Sequence, residues 1–336
     1  MARSIDWLQS SRGIFSYSKY RRIIIKKLLF TGGGGAGNEA IWRLLNHKYE
    51  IHFADADTSR INPIIDIHNR HEIPFANKQN FLSELIKLCK ELEINFLIPG
   101  VDEELKIIAQ SLEKFLPTKL ILPSLSFIKT NLNKFSTAEF YSSKNIKVPM
   151  TEVLSNASNK IPLPIISKPK KGRGSRNVLM HDNYDDIITL KNNLTDANDY
   201  IIQQAIAGEE YTVQMISNQN NLLKAIIPVK LHVKSGITIS AVTSNEKNVV
   251  KICNKIHNAF PTAGIYNIQL ILTNNNEAIP FEINPRISTT FCLALYSLKI
   301  DPIELVLNEE NYSDNFVDFK QGVRLDRFWY NHFSTY

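Results

Sequence analysis

"AGIYNIQLILTNNNEAIPFEINPR" runs from Ala263 to Arg286. Two apolar stretches flank an asparagine-rich turn, the composition of a β-hairpin. Glu282 and Asn284 lie two residues apart, so on a strand they share one face. If Asn274–Glu277 form the loop, Thr273 pairs with Ala278 and Gln269 falls opposite Glu282. One carboxylate and two side-chain amides then converge between apolar neighbours. Oxygen donors of this kind suit Mg²⁺, which takes a carboxylate or two together with phosphates and water. A solvated sheet face is the competing account of the same pattern. Asn-Pro-Arg at the end of the strand, with Arg286 last, is unusual for a purely structural hairpin.

Two upstream stretches carry related chemistry. In "SKPKKGRGSRNV" (Ser167–Val178), Lys168 ends a strand, and Gly172 and Gly174 free the backbone to wrap a phosphate. Ser175 and backbone N–H groups donate there, and Arg173 and Arg176 add charge. The G-x-x-x-x-G-K-[ST] pattern is absent, so this is no Walker A loop. In "IIQQAIAGEEYTV" (Ile201–Val213), a strand ends on Gln203 and Gln204, followed by Ala205 and Ile206. Main-chain groups there suit a flat heterocycle between apolar side chains, with Glu210 within reach of a ribose. Taken singly, a basic surface hairpin and an ordinary β-turn fit these stretches too.

Residues 27–125 alternate strand and helix patterns, which predicts a parallel sheet with right-handed crossovers and ligands at the carboxyl ends of its strands. The first loop, Gly32–Gly37, satisfies G-x-G-x-x-G, with Asp57 about 20 residues on where a ribose carboxylate is expected. On its own that motif points to an NAD(P)-dependent oxidoreductase. "PGVDEE" (Pro99–Glu104) ends another strand. Its Asp102, Glu103 and Glu104 read first as a helix N-terminal turn and second as a place for the charge of an amine.

The chain has 336 residues, a formal charge of +6 and 43% hydrophobic residues. That is enough for about two domains with sizeable cores. A modest basic balance suits an enzyme handling polyanionic nucleotides. No basic run interleaved with aromatics points to nucleic acid. Cys89, Cys253 and Cys292 are widely spaced, which implies reduced, buried thiols and a cytoplasmic protein. No apolar run has the length of a membrane span. Residues 1–26 read as an extension rather than a cleaved signal.

In this order and spacing the stretches resemble the ATP-grasp superfamily, and within it the synthetase halves of the carbamoyl-phosphate synthetase large chain. "NIQ…FEINPR" resembles that group's metal and phosphate hairpin, including Gln269 in place of a carboxylate. "NLNKF" resembles the segment before the lid, which implies Lys134 as a second nucleotide-phosphate lysine. The likeness covers about residues 27–306. It implies an N-terminal Rossmann-like α/β domain (27–125), an ATP-grasp fold (126–306) with a mobile lid at about 147–202, and a C-terminal tail (307–336). The implied activity is ATP- and Mg²⁺-dependent ligation, with one or two metal ions and Mn²⁺ as a substitute. A carboxylate becomes an acyl phosphate and then meets an amine. The resemblance implies Gln269, Glu282 and Asn284 as metal ligands, and Lys134, Lys168, Arg173, Gly174, Ser175, Gln203, Gln204, Ala205, Ile206 and Glu210 as nucleotide contacts. Arg286, Lys168 and His232 are the implied catalytic groups. Partners are small-molecule acids and amines, and a homodimer is compatible with the aromatic end "RFWY" (Arg327–Tyr330). A non-catalytic ATP-binding module is the further alternative. It is disfavoured by the presence of Lys134, Lys168, Glu282 and Asn284.

Overall fold

The computed structural model describes residues 25–174, 176–307, 316–329, 331 and 333. The expected N-terminal extension therefore lies outside the described residues, apart from Ile25 and Lys26. The chain opens with β1 (Lys27–Thr31), α1 (Asn38–Leu45), β2 (Glu50–Asp55), β3 (Arg70–Glu72), α2 (Phe81–Glu91), β4 (Phe96–Ile98), α3 (Asp102–Ala109) and β5 (Lys119–Leu120). These strands form one parallel sheet in the order β3-β2-β1-β4-β5. Leu28, Leu29 and Phe30 of the central strand are all buried, as expected where both sheet faces are covered. Leu28 and Phe30 join one core with Ile41 of α1, while Leu29 joins the opposite core with Phe81 and Leu85 of α2.

Two helices, α4 (Leu125–Asn131) and α5 (Lys134–Ser143), lead into a small antiparallel sheet. Its strands are β6 (Thr151–Val153), β7 (Ile165–Pro169), β8 (Leu179–His181) and β9 (Tyr200–Gln204), ordered β6-β9-β7-β8. Between β8 and β9, α6 (Tyr184–Asn193) packs Ile187 against Ile165 and Ile202. The rest of the chain builds a six-stranded antiparallel sheet. Its members are β10 (Glu209–Ser217), β11 (Leu223–Ser235), β12 (Ile237–Thr243), β13 (Gly264–Leu272), β14 (Ala278–Asn284) and β15 (Arg324–Asp326), ordered β14-β13-β10-β11-β12-β15. One face of this sheet receives α7 (Lys247–Ala259), through Val249, Cys253 and Ile256. Two helices, α8 (Phe291–Ser297) and α9 (Pro302–Leu307), join Ile216, Ile227 and Val229 of the large sheet to Leu28 and Phe30 of the parallel sheet in one core.

The hairpin differs from the count made on sequence by one compensated step. Leu272, not Thr273, pairs with Ala278, yet Gln269 still faces Glu282. Phe281 is the extra residue, a bulge in β14 that restores the register between those two pairs. Two three-residue strands, β3 and β6, are too short to show a period of two and escape pattern reading. The expected tail contributes β15, hydrogen-bonded to β12 as the edge of the large sheet. Cys89, Cys253 and Cys292 are free and buried. Among the described residues no helix is long and apolar enough to cross a membrane.

Gly208 connects the small sheet to the large one. Its φ is +151°, and a Cβ there would lie 2.2 Å from the Leu272 carbonyl oxygen. The close backbone approach leaves room for glycine alone. Gly208→Ala should therefore destabilise the chain by about 3 kcal/mol. Urea unfolding measures this, and an unchanged midpoint would show that the β9–β10 connection yields freely.

Candidate functional site

The carboxyl ends of the parallel strands face the large sheet across a cleft of about 1040 Å³. A narrower slot of about 320 Å³ lies between the small sheet and the large one. Arg173, Gly174, Lys234, Gln269 and Glu282 line both spaces and form the seam between them.

The slot contains both lysines that the sequence singles out. Lys168 closes β7 and is buried, with its ammonium 5.3 Å from the centre of the Phe281 ring. The bulge in β14 thus supplies a π face beneath a cation. Burial pushes the Lys168 ammonium down to about 8; Glu282 pulls it back up, while Lys134 and Lys234 push it further down. Lys134 is the first residue of α5, whose N-cap Asn133 accepts from the N–H groups of Phe135 and Ser136. That cap fixes the helix start, and Lys134 Nζ donates to the Gly172 carbonyl at 2.8 Å and lies 3.9 Å from Glu282 Oε2. The loop at Gly172 is therefore tied to α5 through its own backbone.

The remaining predicted nucleotide contacts divide. Gln203, Gln204, Ile206 and Glu210 line the slot. Gln203 Nε2 donates to Thr151 Oγ1 at 2.9 Å, and Glu210 is held by Lys234. Ala205, between Gln204 and Ile206, does not itself line the slot; its N–H is given to the Pro164 carbonyl at 3.0 Å. Arg173 lies 3.5 Å from Glu103 across the cleft, and Gly174 lines both spaces. Ser175 lies outside the described residues.

On the hairpin, Gln269, Glu282 and Asn284 all line the cleft. Asn284 Nδ2 donates to Asn267 Oδ1 at 3.4 Å, which leaves the Asn284 oxygen for the open side. The donor set is one carboxylate and two amide oxygens, hard and oxygen-only. It fits Mg²⁺ provided that phosphates complete the shell. Among the described residues no group of three or more His, Cys, Asp or Glu gathers around a cation position. Arg286 bonds to Asp102 through Nε and to the Ile287 carbonyl through Nη1 at 3.1 Å.

His232 stands apart from these groups. It occupies the irregular step of β11 between Leu231 and Val233, is exposed, and does not line the cleft. Simple alternation along β11 does not reveal that step. The structure instead places Lys234, which the sequence did not single out, on the seam.

The glycine loop, Gly32–Gly37, lines the cleft. The N–H groups of Gly33, Gly34, Gly35 and Asn38 are consumed within the fold, by Ala54 O, Asp55 Oδ2, Gly32 O and Gly35 O at 2.9–3.0 Å. A pyrophosphate cradle needs such groups free. Asp57 is exposed and caps its own turn by accepting from Ser59, while Asp55 is the carboxylate on the cleft. Opposite it, Glu104 of α3 is buried and accepts from Thr31 Oγ1. Burial pushes the Glu104 carboxyl up to about 8. The Thr31 bond and Arg173 oppose the rise, and Asp55 and Glu103 reinforce it.

A parallel α/β sheet and two antiparallel sheets that close on a lysine-lined slot define a nucleotide-gripping class of protein. The family model described as an ATP-grasp domain matches residues 132–290, so this chain carries an ATP-grasp domain. Three solved structures share the fold. Carboxyaminoimidazole ribonucleotide synthase from Aspergillus clavatus, complexed with ATP, is 16% identical over 84% of this chain and 75% of its own, with a TM-score of 0.66. Biotin carboxylase from Campylobacter jejuni is 16% identical over 83% of this chain and 69% of its own, with a TM-score of 0.63. L-amino acid ligase from Bacillus licheniformis is 16% identical over 84% and 73%, with a TM-score of 0.61. The search of curated proteins finds no match.

Lys168 has a sign-definite consequence for stability. Its folded pKa lies below that of the unfolded chain, so between about pH 8 and the ordinary lysine range the unfolded state binds the extra proton. Stability contributed by this group rises with pH over that window, and at pH 7 the buried charge is a cost. Lys168→Met should stabilise the nucleotide-free chain at pH 7 by roughly 1–3 kcal/mol, with the gain shrinking as pH rises through that window. Chemical denaturation at both ends of the window checks it. Destabilisation at pH 7 would mean that Lys168 holds the slot together.

Proposed function

We propose that this chain is an ATP- and Mg²⁺-dependent ligase that activates a small-molecule carboxylate as an acyl phosphate and joins it to an amine, releasing ADP and phosphate. The observation that carries the proposal is the meeting of Lys134, Lys168 and Glu282 in one slot that opens onto a larger, first-sheet-lined cleft. The ATP-grasp domain and the ligases that share its fold support the same conclusion.

The chemical problem is bringing an anionic carboxylate to a polyanionic triphosphate, which demands positioning and charge neutralisation rather than covalent help. Lys134 and Lys168 receive phosphate oxygens, and the loop at Arg173 and Gly174 wraps them. The adenine lies along Gln203, Gln204 and Ile206, with Glu210 at the ribose. Gln269, Glu282 and Asn284 would hold Mg²⁺, or Mn²⁺ in its place, which supplies charge between the phosphates when bound. Arg286 faces the acyl-phosphate position from the hairpin's end, oriented by Asp102. The lid at about 147–202 closes over the nucleotide and excludes water, which would otherwise hydrolyse the acyl phosphate.

The test is ATP-dependent acyl hydroxamate formation from a panel of carboxylates with hydroxylamine, read together with ADP release. Glu282→Gln should lower kcat by roughly 10²–10³, the scale of losing one transition-state charge partner. Nucleotide binding without ADP release under any acid would replace ligation by a pure binding role, and parental turnover in Glu282→Gln would remove the hairpin from the mechanism.

A further inference from the structure

If the chain is the ligase proposed above, its cleft must also hold an amine, and the carboxylates along the first-sheet wall differ in their availability. Asp102 is taken by Arg286 and Glu103 by Arg173. Asp55 and Glu104 have no cationic partner within ion-pair distance among the described residues. Asp55 is held by two backbone groups, the N–H of Gly34 at 2.9 Å and that of Asp57 at 3.1 Å. Glu104 is 5% exposed, lines the cleft, and uses only Oε2, toward Thr31; its Oε1 has no hydrogen-bond partner among the described residues. Thr31 in turn accepts from the Gly100 N–H at 3.0 Å, so its hydroxyl hydrogen is directed at Glu104. Glu104 is thus a largely buried carboxyl that keeps one oxygen accessible on the cleft side and uncommitted to the protein.

We propose that Asp55 and Glu104 form the ammonium subsite, with Glu104 taking the proton that the amine must lose before it attacks. The class of ligand is a primary ammonium. An anion is disfavoured because Asp55 and Glu104 both face the space and the Gly34 amide is already committed to Asp55. In the step itself, one ammonium proton passes to the Glu104 carboxylate. The freed nitrogen forms a C–N bond to the acyl carbon as the C–O bond to phosphate breaks, and the nitrogen's surplus proton leaves with phosphate. Around Glu104 the charged groups are Asp55 on β2, Glu103 on its own helix and Arg173 from the lid loop. Because Glu104 is neutral below about pH 8 in the free chain, ammonium binding strengthens as pH rises through that value.

The experiment is thermal stabilisation of the full chain by ethanolamine, with ethylene glycol as its uncharged counterpart and MgADP as an independent probe of the slot. Ethanolamine should stabilise the parent, more above about pH 8 than below it, and ethylene glycol should not. Asp55→Asn and Glu104→Gln should each lose that stabilisation while keeping the MgADP shift, which also shows that they fold. In turnover above about pH 8, where Glu104 is a carboxylate, the ratio of amide formed from a protonated amine to hydroxamate formed from hydroxylamine, which is neutral there, should fall about a hundredfold in Glu104→Gln. Ethanolamine that fails to stabilise the parent, or stabilises both variants equally, overturns the subsite. A missing MgADP shift in the parent counts against the nucleotide slot instead.

Discussion

Lys134 and Lys168 come from different elements and converge on one carboxylate, Glu282, in a space that water barely reaches. Burial depresses the Lys168 ammonium first of all; Lys134 and Lys234 add to that, and Glu282 and Glu210 only partly offset it. Such a site is expensive in the empty chain and becomes favourable only when additional negative charge enters. The surrounding architecture serves that arrangement: the Asn133 cap fixes where α5 begins, β7 carries Lys168 to its end, and the bulge in β14 sets both Glu282 and Phe281 against the lysines.

The rest of the cleft mixes charge. Arg173, Lys234 and Arg286 line it together with Glu282 of the large sheet, while Asp55, Glu103 and Glu104 line it together with Arg60 and Lys78. In the glycine motif the Gly33, Gly34, Gly35 and Asn38 amides are committed within the fold, and that of Gly34 holds Asp55, which lines the cleft.

What the sequence revealed and what it hid divide along the range of the interactions. The hairpin was legible because its donors repeat every second residue around a local turn, and even an error of one residue at the turn was cancelled by a single bulge. The two lysines were visible through the loop and capping segments beside them. His232 is itself the extra residue of a strand irregularity, which simple alternation along β11 does not show. The roles of Asp102, Glu103 and Glu104 could not be separated locally, because Asp102 meets Arg286 across 184 residues of chain and Glu103 meets Arg173 from the lid. Three adjacent acids that look equivalent in the sequence receive three different environments from tertiary packing.

Those environments suggest why the domains do not fall apart when the slot is empty, yet can still close. The Arg286–Asp102 pair has side chains only 14% and 12% exposed, so parting it would leave a poorly solvated charge on each side. Arg173 and Glu103 are 38% and 56% exposed at 3.5 Å, a pair whose Coulomb gain is small and screened. Parting Arg173 from Glu103 therefore costs little, whereas parting Arg286 from Asp102 costs more. The first turn of α3 thus contributes one firm joint to the hairpin and one weak joint to the loop that carries Arg173.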